Sequence, residues 1–180
     1  MLRSASGARV ALDTADYWGK GSASACEEGK SVTVFPYLKS SRILFLQETS
    51  REAALRALVG SIKLDAILPP GEKFLKALIE RERLVSTGIG MGVAIPHAKM
   101  EEFSDFFIAI GIQKKRGIAW KAIDRSPVRF IFLIGGPDQR QTEYLQILSK
   151  LTGAIKQESV RKGMLQSQTP EEVLCLFRSF

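Results

Sequence analysis

Phe106-Phe107-Ile108-Ala109-Ile110-Gly111-Ile112 (FFIAIGI) and Pro127-Val128-Arg129-Phe130-Ile131-Phe132-Leu133-Ile134 (PVRFIFLI) are the two stretches whose reading decides the fold. Both are short, nearly all apolar and rich in β-branched and aromatic residues, as expected of strands buried on both faces. Such strands need helices above and below them, and the sequence on either side supplies the candidates.

Upstream, Arg42 to Gln47 (RILFLQ) reads as another short strand, and Thr49 with Glu52 matches a capping box that opens a helix. In that helix Ala54, Leu55, Leu58, Val59 and Ile62 share one face, while Arg51, Arg56 and Lys63 fall elsewhere. Pro69-Pro70-Gly71 breaks the chain, because proline lacks a donor and disfavours helix in the residue before it. A second helix is expected over Glu72 to Leu84, with Phe74, Leu75, Leu78 and Ile79 facing inward and the charged run Glu80-Arg81-Glu82-Arg83 at its end. Ser86 to His97 is too glycine-rich for a helix and reads as a loop entering a short strand that Pro96 terminates.

Downstream, Gly135-Gly136-Pro137 closes the second of the deciding strands. Tyr144, Leu145, Leu148 and Leu151 then recur at helical spacing, with Gly153 near the expected stop, and a short helix is expected over Ser159 to Leu165. Thr169-Pro170-Glu171-Glu172 gives the last helix an N-cap, a proline at its first position and a capping-box glutamate. This order of elements predicts an α/β fold, a mixed sheet covered by helices on both faces. Residues 1–31 are rich in Ser, Ala and Gly without persistent periodicity and read as a disordered extension, leaving 32–180 as the folded domain.

Composition removes several function classes. The 180 residues hold one histidine and two cysteines, Cys26 and Cys175, which rules out zinc-finger, CxxC and HExxH chemistry, so no metal is expected. No apolar stretch approaches the roughly 18 to 20 residues of a membrane span, so no membrane insertion is expected. No secretory signal is evident near the start, and the expected location is the cytoplasm. Thiols stay reduced there, so a Cys26–Cys175 disulfide is not expected, and Cys175 reads as a small buried hydrophobe.

The glycines at 88, 90 and 92 invite a nucleotide-loop reading, but GxGxxG would need glycine at Val93 or Ile95, and no GK[ST] triplet exists. They read instead as a tight path into a strand, and no cofactor is implied. His97 follows Pro96 at a strand end, where a side chain is held rigidly yet reaches a crevice. A histidine of ordinary pKa, about 6.5, is mostly neutral at pH 7 and has a ring lone pair, so it is a competent nucleophile. With no GxSxG elbow for a serine hydrolase, phosphoryl acceptance from a donor protein is the reaction that asks least of the remaining residues. It needs an accessible imidazole and a cation for the transferred oxygens, which the run Glu80 to Arg83 supplies.

RERLVSTGIGMGVAIPHAKM, Arg81 to Met100, closely resembles the signature of the type-2 enzyme IIA domains of the bacterial phosphoenolpyruvate-dependent phosphotransferase system, the fructose, mannitol and nitrogen-regulatory group. The resemblance continues through GIAWKAIDRSPVRFIFLI and EYLQILSKL to TPEEVLCLF and covers about residues 32–180. It is strongest to the stand-alone nitrogen-regulatory members, because no fused IIB or membrane IIC segment is present. It implies a three-layer α/β/α sandwich around a mixed sheet, with His97 phosphorylated by an HPr-like carrier and Arg81 as the active-site arginine. The Thr87, Gly88, Gly90, Gly92 and Pro96 loop would lie beside them, its backbone donors supplementing Arg81. In most members a second active-site histidine precedes the Leu-x-x-Leu of the helix after the fourth strand, and here that position is Tyr144. A phenol donates one hydrogen bond but stays neutral near pH 7, which favours a regulatory output toward a target protein.

Two alternatives stand beside this reading. One is a sugar-transport component that passes phosphate to a separate IIB protein. The other is a basic binding module: the net charge is +7, and residues 31–180 carry all of the excess, with Lys114-Lys115-Arg116 as a local cluster. No helix-turn-helix or RNA-binding signature accompanies that charge, so nucleic acid is the less expected partner.

Overall fold

The computed structural model describes residues 33–63 and 71–180. The expected extension, Cys26 and the Pro69-Pro70 break lie outside the described residues. A short 3-10 turn, Phe35–Tyr37, leads into β1 (Leu38–Phe45), followed by α1 (Arg51–Lys63) and α2 (Gly71–Leu84). Next come β2 (Gly88–Gly90), β3 (Val93–Ala94), β4 (His97–Lys99), β5 (Phe107–Ile112) and β6 (Phe130–Gly136). The helices α3 (Gln141–Lys156), α4 (Glu158–Gln166) and α5 (Pro170–Cys175) complete the order.

The six strands form one mixed sheet in the order β1-β5-β6-β3-β2, with β4 also paired to β6. Its centre is the pair read first from the sequence: β5 and β6 run antiparallel with Ile108 opposite Ile134 and Ile112 opposite Phe130, and every residue of both strands is buried. Strand alternation sorts their side chains into two cores. Ile108, Ile110, Ile112, Phe130, Phe132 and Ile134 pack with α3, α4 and α5. Phe107, Ala109, Ile131 and Leu133 pack with α1 and α2. The α/β/α sandwich therefore follows from two doubly buried strands, each face contributing apolar area worth about 25 cal/mol per Å².

The helix faces match their sequence pattern. Ala54, Leu55, Leu58, Val59 and Ile62 are buried along α1, as are Phe74, Leu75 and Leu78 along α2. At α5 the Thr169 hydroxyl accepts from Glu172 N at 3.2 Å, and the Glu172 carboxylate accepts from Gln168 N at 2.7 Å. This is the reciprocal cap the sequence announces, its return bond shifted to the residue before the N-cap.

Several local expectations need correction. β1 begins at Leu38, ahead of the apolar run, because it is an edge strand whose first half carries polar residues. The cap of α1 is Ser50, whose Oγ accepts from Ala53 N at 3.3 Å, one position after the expected Thr49 box. Gly153 does not stop α3, which runs to Lys156 because Leu151, Ala154 and Ile155 stay packed in the core. Cys175 is exposed, since Val173 in α5 and Phe177 in the turn after it face inward and leave Cys175 on the opposite side.

Pro96 interrupts the strand as expected, between β3 and β4, but it does not end the pairing with β6. β3 and β4 both pair parallel with β6 in one unbroken register, Ala94 opposite Ile131 and His97 opposite Ile134. The missing donor of Pro96 is tolerated because its carbonyl, which accepts from Ile134 N at 2.9 Å, makes the bond to β6. His97 is consequently an in-sheet residue at the carboxyl end of β6.

Candidate functional site

The site grows from β4. His97 and Lys99 point toward the α3 layer, while Ala98 between them packs into the α1/α2 core. Among the described residues β4 pairs only with β6, so its outer edge is free of a strand. Two helix ends come to this edge, the last turn of α2 with Arg81 and the first turns of α3 with Tyr144.

His97 is half-buried, and its Nδ1 lies 3.0 Å from the Ile95 carbonyl oxygen. A carbonyl oxygen only accepts, so this contact assigns the ring proton to Nδ1 and leaves the lone pair on Nε2. Burial pushes the imidazole pKa below its ordinary 6.5, against the opposing pull of the Ile95 hydrogen bond; Arg81 and Lys99 lower it further, and Glu82 raises it. The ring is therefore neutral at pH 7. Tyr144 is buried, with its ring centroid 5.6 Å from that of His97. Burial raises the phenol pKa while Arg81 pulls it down, so the guanidinium lies within electrostatic reach of both rings. Arg81 itself donates to the Val85 carbonyl at 3.0 Å, which anchors it across the end of α2.

Tyr144 is positioned by a polar cluster at the start of α3. Glu143 accepts from the Tyr37 hydroxyl at 3.0 Å and from Arg140 Nε at 2.7 Å, and Arg140 also pairs with Asp105 at 3.0 Å. Burial and the Glu143 contact hold the Tyr37 phenol up at about 12, so it remains a donor.

The charged run at the end of α2 is not uniformly solvated. Glu82 is 3% exposed, accepts from Thr87 N at 3.0 Å and from Thr87 Oγ1 at 2.5 Å, and faces Arg51 at 3.6 Å. This carboxylate fixes Thr87, whose carbonyl in turn accepts from Ile95 N at 3.1 Å, beside the residue that orients His97. Glu82 does not stand out in the sequence, although its spacing of four from Leu78 puts it on the buried stripe of α2. Lys99 does not stand out either: its Nζ lies 5.3 Å from the Tyr144 ring centroid and hydrogen-bonds Gln141 Oε1.

The glycines serve a different purpose from the expected phosphate cradle. Gly90 and Gly92 have φ of 91° and 72° and form the β2–β3 hairpin turn, at the end pointing away from His97 and roughly 15 Å along the chain from it. Their neighbourhood is also saturated: Gly88 N donates to Ser86 Oγ at 3.3 Å, Met91 N to Asp124 at 2.9 Å and Gly92 N to Ser126 Oγ at 3.3 Å. A Cβ at Gly88 would meet Ala122 at 2.8 Å, so that glycine is required by packing. The structure thus sets Tyr144 against His97, puts Arg81 within electrostatic reach of both rings, ties Thr87 to the Ile95 backbone ahead of Pro96, and leaves Gly90 and Gly92 at the hairpin tip. Of the Lys114-Lys115-Arg116 cluster, Lys114 is drawn into the fold, its Nζ 4.4 Å over the Phe45 ring and bonded to the Ser167 carbonyl, while Lys115 and Arg116 stay exposed. Among the described residues no group of His, Cys, Asp and Glu side chains is arranged to hold a metal ion. No described helix is long and apolar enough to cross a membrane.

The arrangement offers one neutral imidazole with a defined lone pair, one guanidinium and one neutral phenol at the end of a sheet. Known proteins share the fold and much of the sequence. The family model described as "Phosphoenolpyruvate-dependent sugar phosphotransferase system, EIIA 2" matches residues 36–179. The nitrogen regulatory protein of Escherichia coli K12 is 32% identical over 124 residues, 69% of this chain and 76% of that protein. The fructose-specific EIIA component of Haloferax volcanii is 36% identical over 99 residues, 55% of this chain and 64% of that protein. The fructose-specific EIIABC component of Bacillus subtilis is 28% identical over 131 residues, 73% of this chain but only 20% of that longer protein. The chain thus spans less than two thirds of the length of these last two relatives. Among solved structures, the nitrogen regulatory protein IIA-Ntr of Neisseria meningitidis superposes with a TM-score of 0.73 at 28% identity, covering 80% of this chain and 98% of that one. The mannitol IIA of E. coli has the same fold, with a TM-score of 0.66 at 22% identity over 78% of this chain and 98% of that one.

Proposed function

The chain belongs to the EIIA 2 family of the phosphoenolpyruvate-dependent sugar phosphotransferase system, and from that premise we propose that it is a phosphocarrier component of that system and that His97 accepts the phosphoryl group. In this reading the Nε2 lone pair attacks the phosphorus carried on a histidine of an HPr-like protein. The donor's P–N bond breaks as the new one forms, and the donor imidazole keeps the electron pair and takes up a proton. Arg81 spreads its positive charge over the transferred oxygens, for which the planar guanidinium is suited. Pro96 and the Thr87–Glu82 anchor hold the Ile95 carbonyl that fixes the tautomer.

The observation that carries the proposal is the Nδ1–Ile95 contact of 3.0 Å. It leaves Nε2 as the nucleophilic nitrogen, and burial keeps the ring neutral. The output we assign is regulatory, because Tyr144 supplies a neutral phenol where a second imidazole would assist transfer onward to a IIB protein. The E. coli relative, a nitrogen regulatory protein, points the same way. We place the working protein, residues 32–180, in the cytoplasm with an HPr-like donor and a target protein. Incubation with phosphoenolpyruvate, enzyme I and HPr tests this: one acid-labile phosphate per chain supports it, and no transfer under conditions that load a known IIA contradicts it.

A further inference from the structure

We infer that Lys99 is the second cation of the phosphoryl site, held on Tyr144 and Gln141 before transfer and moving onto the phosphoryl oxygens when His97 is loaded. The inference rests on the proposed role of His97 and adds a residue to it.

His97 and Lys99 are two apart on β4 and emerge on the same side of the sheet, about 7 Å apart at the backbone. A lysine stem spans that distance, so its ammonium reaches a group attached to the neighbouring imidazole. Both side chains already meet at one ring: Tyr144 lies 5.6 Å from the His97 ring and 5.3 Å from Lys99 Nζ. Lys99 also lowers the proton affinity of His97, which places its charge within electrostatic reach of the imidazole.

Charge balance gives the lysine its purpose. A phosphoryl group brings about −1.5 to −2 charges. Arg81 supplies one positive charge, and Tyr144, its proton held by burial, supplies none. Lys99 is the next cation on this face. Among the described residues it forms no ion pair with a carboxylate; its partners are the neutral amide of Gln141 and the face of Tyr144. A neutral acceptor and a ring face hold an ammonium more weakly than a phosphoryl dianion does, so loading favours the move. The move leaves Gln141, the first residue of α3, without its cation, and so changes the surface next to the site as phosphate arrives.

Phosphoramidate phosphorylates histidine without any partner protein and separates this inference from questions of donor recognition. Wild type, Lys99→Gln, Lys99→Arg and His97→Ala would each be incubated with it, phosphohistidine followed by ³¹P NMR and folding checked by urea midpoint. The expected result is a rate for Lys99→Gln lower by about tenfold, recovery to within about twofold in Lys99→Arg, and no signal in His97→Ala. In the wild type, the Gln141 side-chain amide resonances shift on phosphorylation. A wild-type rate in Lys99→Gln, or an equal loss in Lys99→Arg, overturns the assignment of Lys99 while leaving His97 in place. A wild type that takes no phosphate at His97 overturns the reading of His97 and this inference with it.

Discussion

The Nδ1 of His97 and the carbonyl oxygen of Ile95 lie 3.0 Å apart, on either side of Pro96. Proline fixes its own φ, so the residues flanking it are held in a nearly constant relation, and the imidazole is oriented by its own backbone. The same contact selects the tautomer that presents Nε2 outward. Phosphorylation at Nε2 is expected, and ¹⁵N–³¹P coupling in labelled protein distinguishes it from Nδ1.

The direction of the His97 shift fixes a pH dependence. Its folded pKa lies below the 6.5 of the unfolded chain, chiefly through burial. Between those two values the unfolded state binds more protons than the folded state, so this residue makes stability rise with pH across that window and fall as the solution is acidified through it. Phosphoryl uptake should stay level as pH falls past 6.5 and decline only at the lowered pKa. An NMR titration of the ring gives that pKa directly, and a midpoint at or above 6.5 contradicts the assignment.

Glu82 is expected to be the most sensitive carboxylate. Glu82→Ala leaves Arg51 and both donors of Thr87 without this partner in a buried place, at a cost of about 2–4 kcal/mol in urea denaturation. Because Glu82 favours the charged form of His97, the same change also lowers the histidine pKa further. A loss under about 0.5 kcal/mol would mean that the carboxylate is not holding the loop.

Tyr144 separates packing from chemistry. Its hydroxyl makes no hydrogen bond with the described residues, so Tyr144→Phe is expected to change stability by less than about 0.5 kcal/mol. Tyr144→His introduces a group that titrates near neutrality, and faster phosphate exchange with the donor is the expected outcome. Equal rates in the wild type and in Tyr144→His would mean that the ring serves only to pack against His97.

Gly88→Ala tests the reading of the glycine loop. Its added methyl would lie 2.8 Å from the Ala122 backbone and side chain, and overpacking of this kind costs about 1–3 kcal/mol. Gly153→Ala, in open space on α3, is expected to stabilise by up to about 1 kcal/mol. Thermal denaturation of the pair compares a glycine required by contact with one that is not.

Much of the fold is legible in the amino-acid sequence. FFIAIGI and PVRFIFLI announce the doubly buried centre of the sheet, because no surface element tolerates such density of apolar residues. The apolar periodicity of α1 and α2 names their buried faces almost residue by residue. His97 stands out on chemical grounds, being the lone imidazole and following a proline. Lys99 does not, because Pro96 reads as the end of a strand, whereas the partner strand β6 carries the register straight past it. Glu82 is hidden by its neighbours, since a run of alternating charge looks solvated unless its phase is compared with Leu75 and Leu78. The hairpin glycines mislead for another reason: a glycine-rich loop beside a candidate nucleophile suggests anion binding, and only the partners of its N–H groups show that they are already engaged.

The central claim, that His97 carries the phosphoryl group, is tested most directly by intact-protein mass measurement after incubation with phosphoenolpyruvate, enzyme I and HPr. One added phosphate is expected on the wild type, lost on brief acid treatment, and none on His97→Ala with its fold confirmed by circular dichroism. An equal phosphate on His97→Ala, or none on the wild type while a known IIA in the same mixture is loaded, would contradict it.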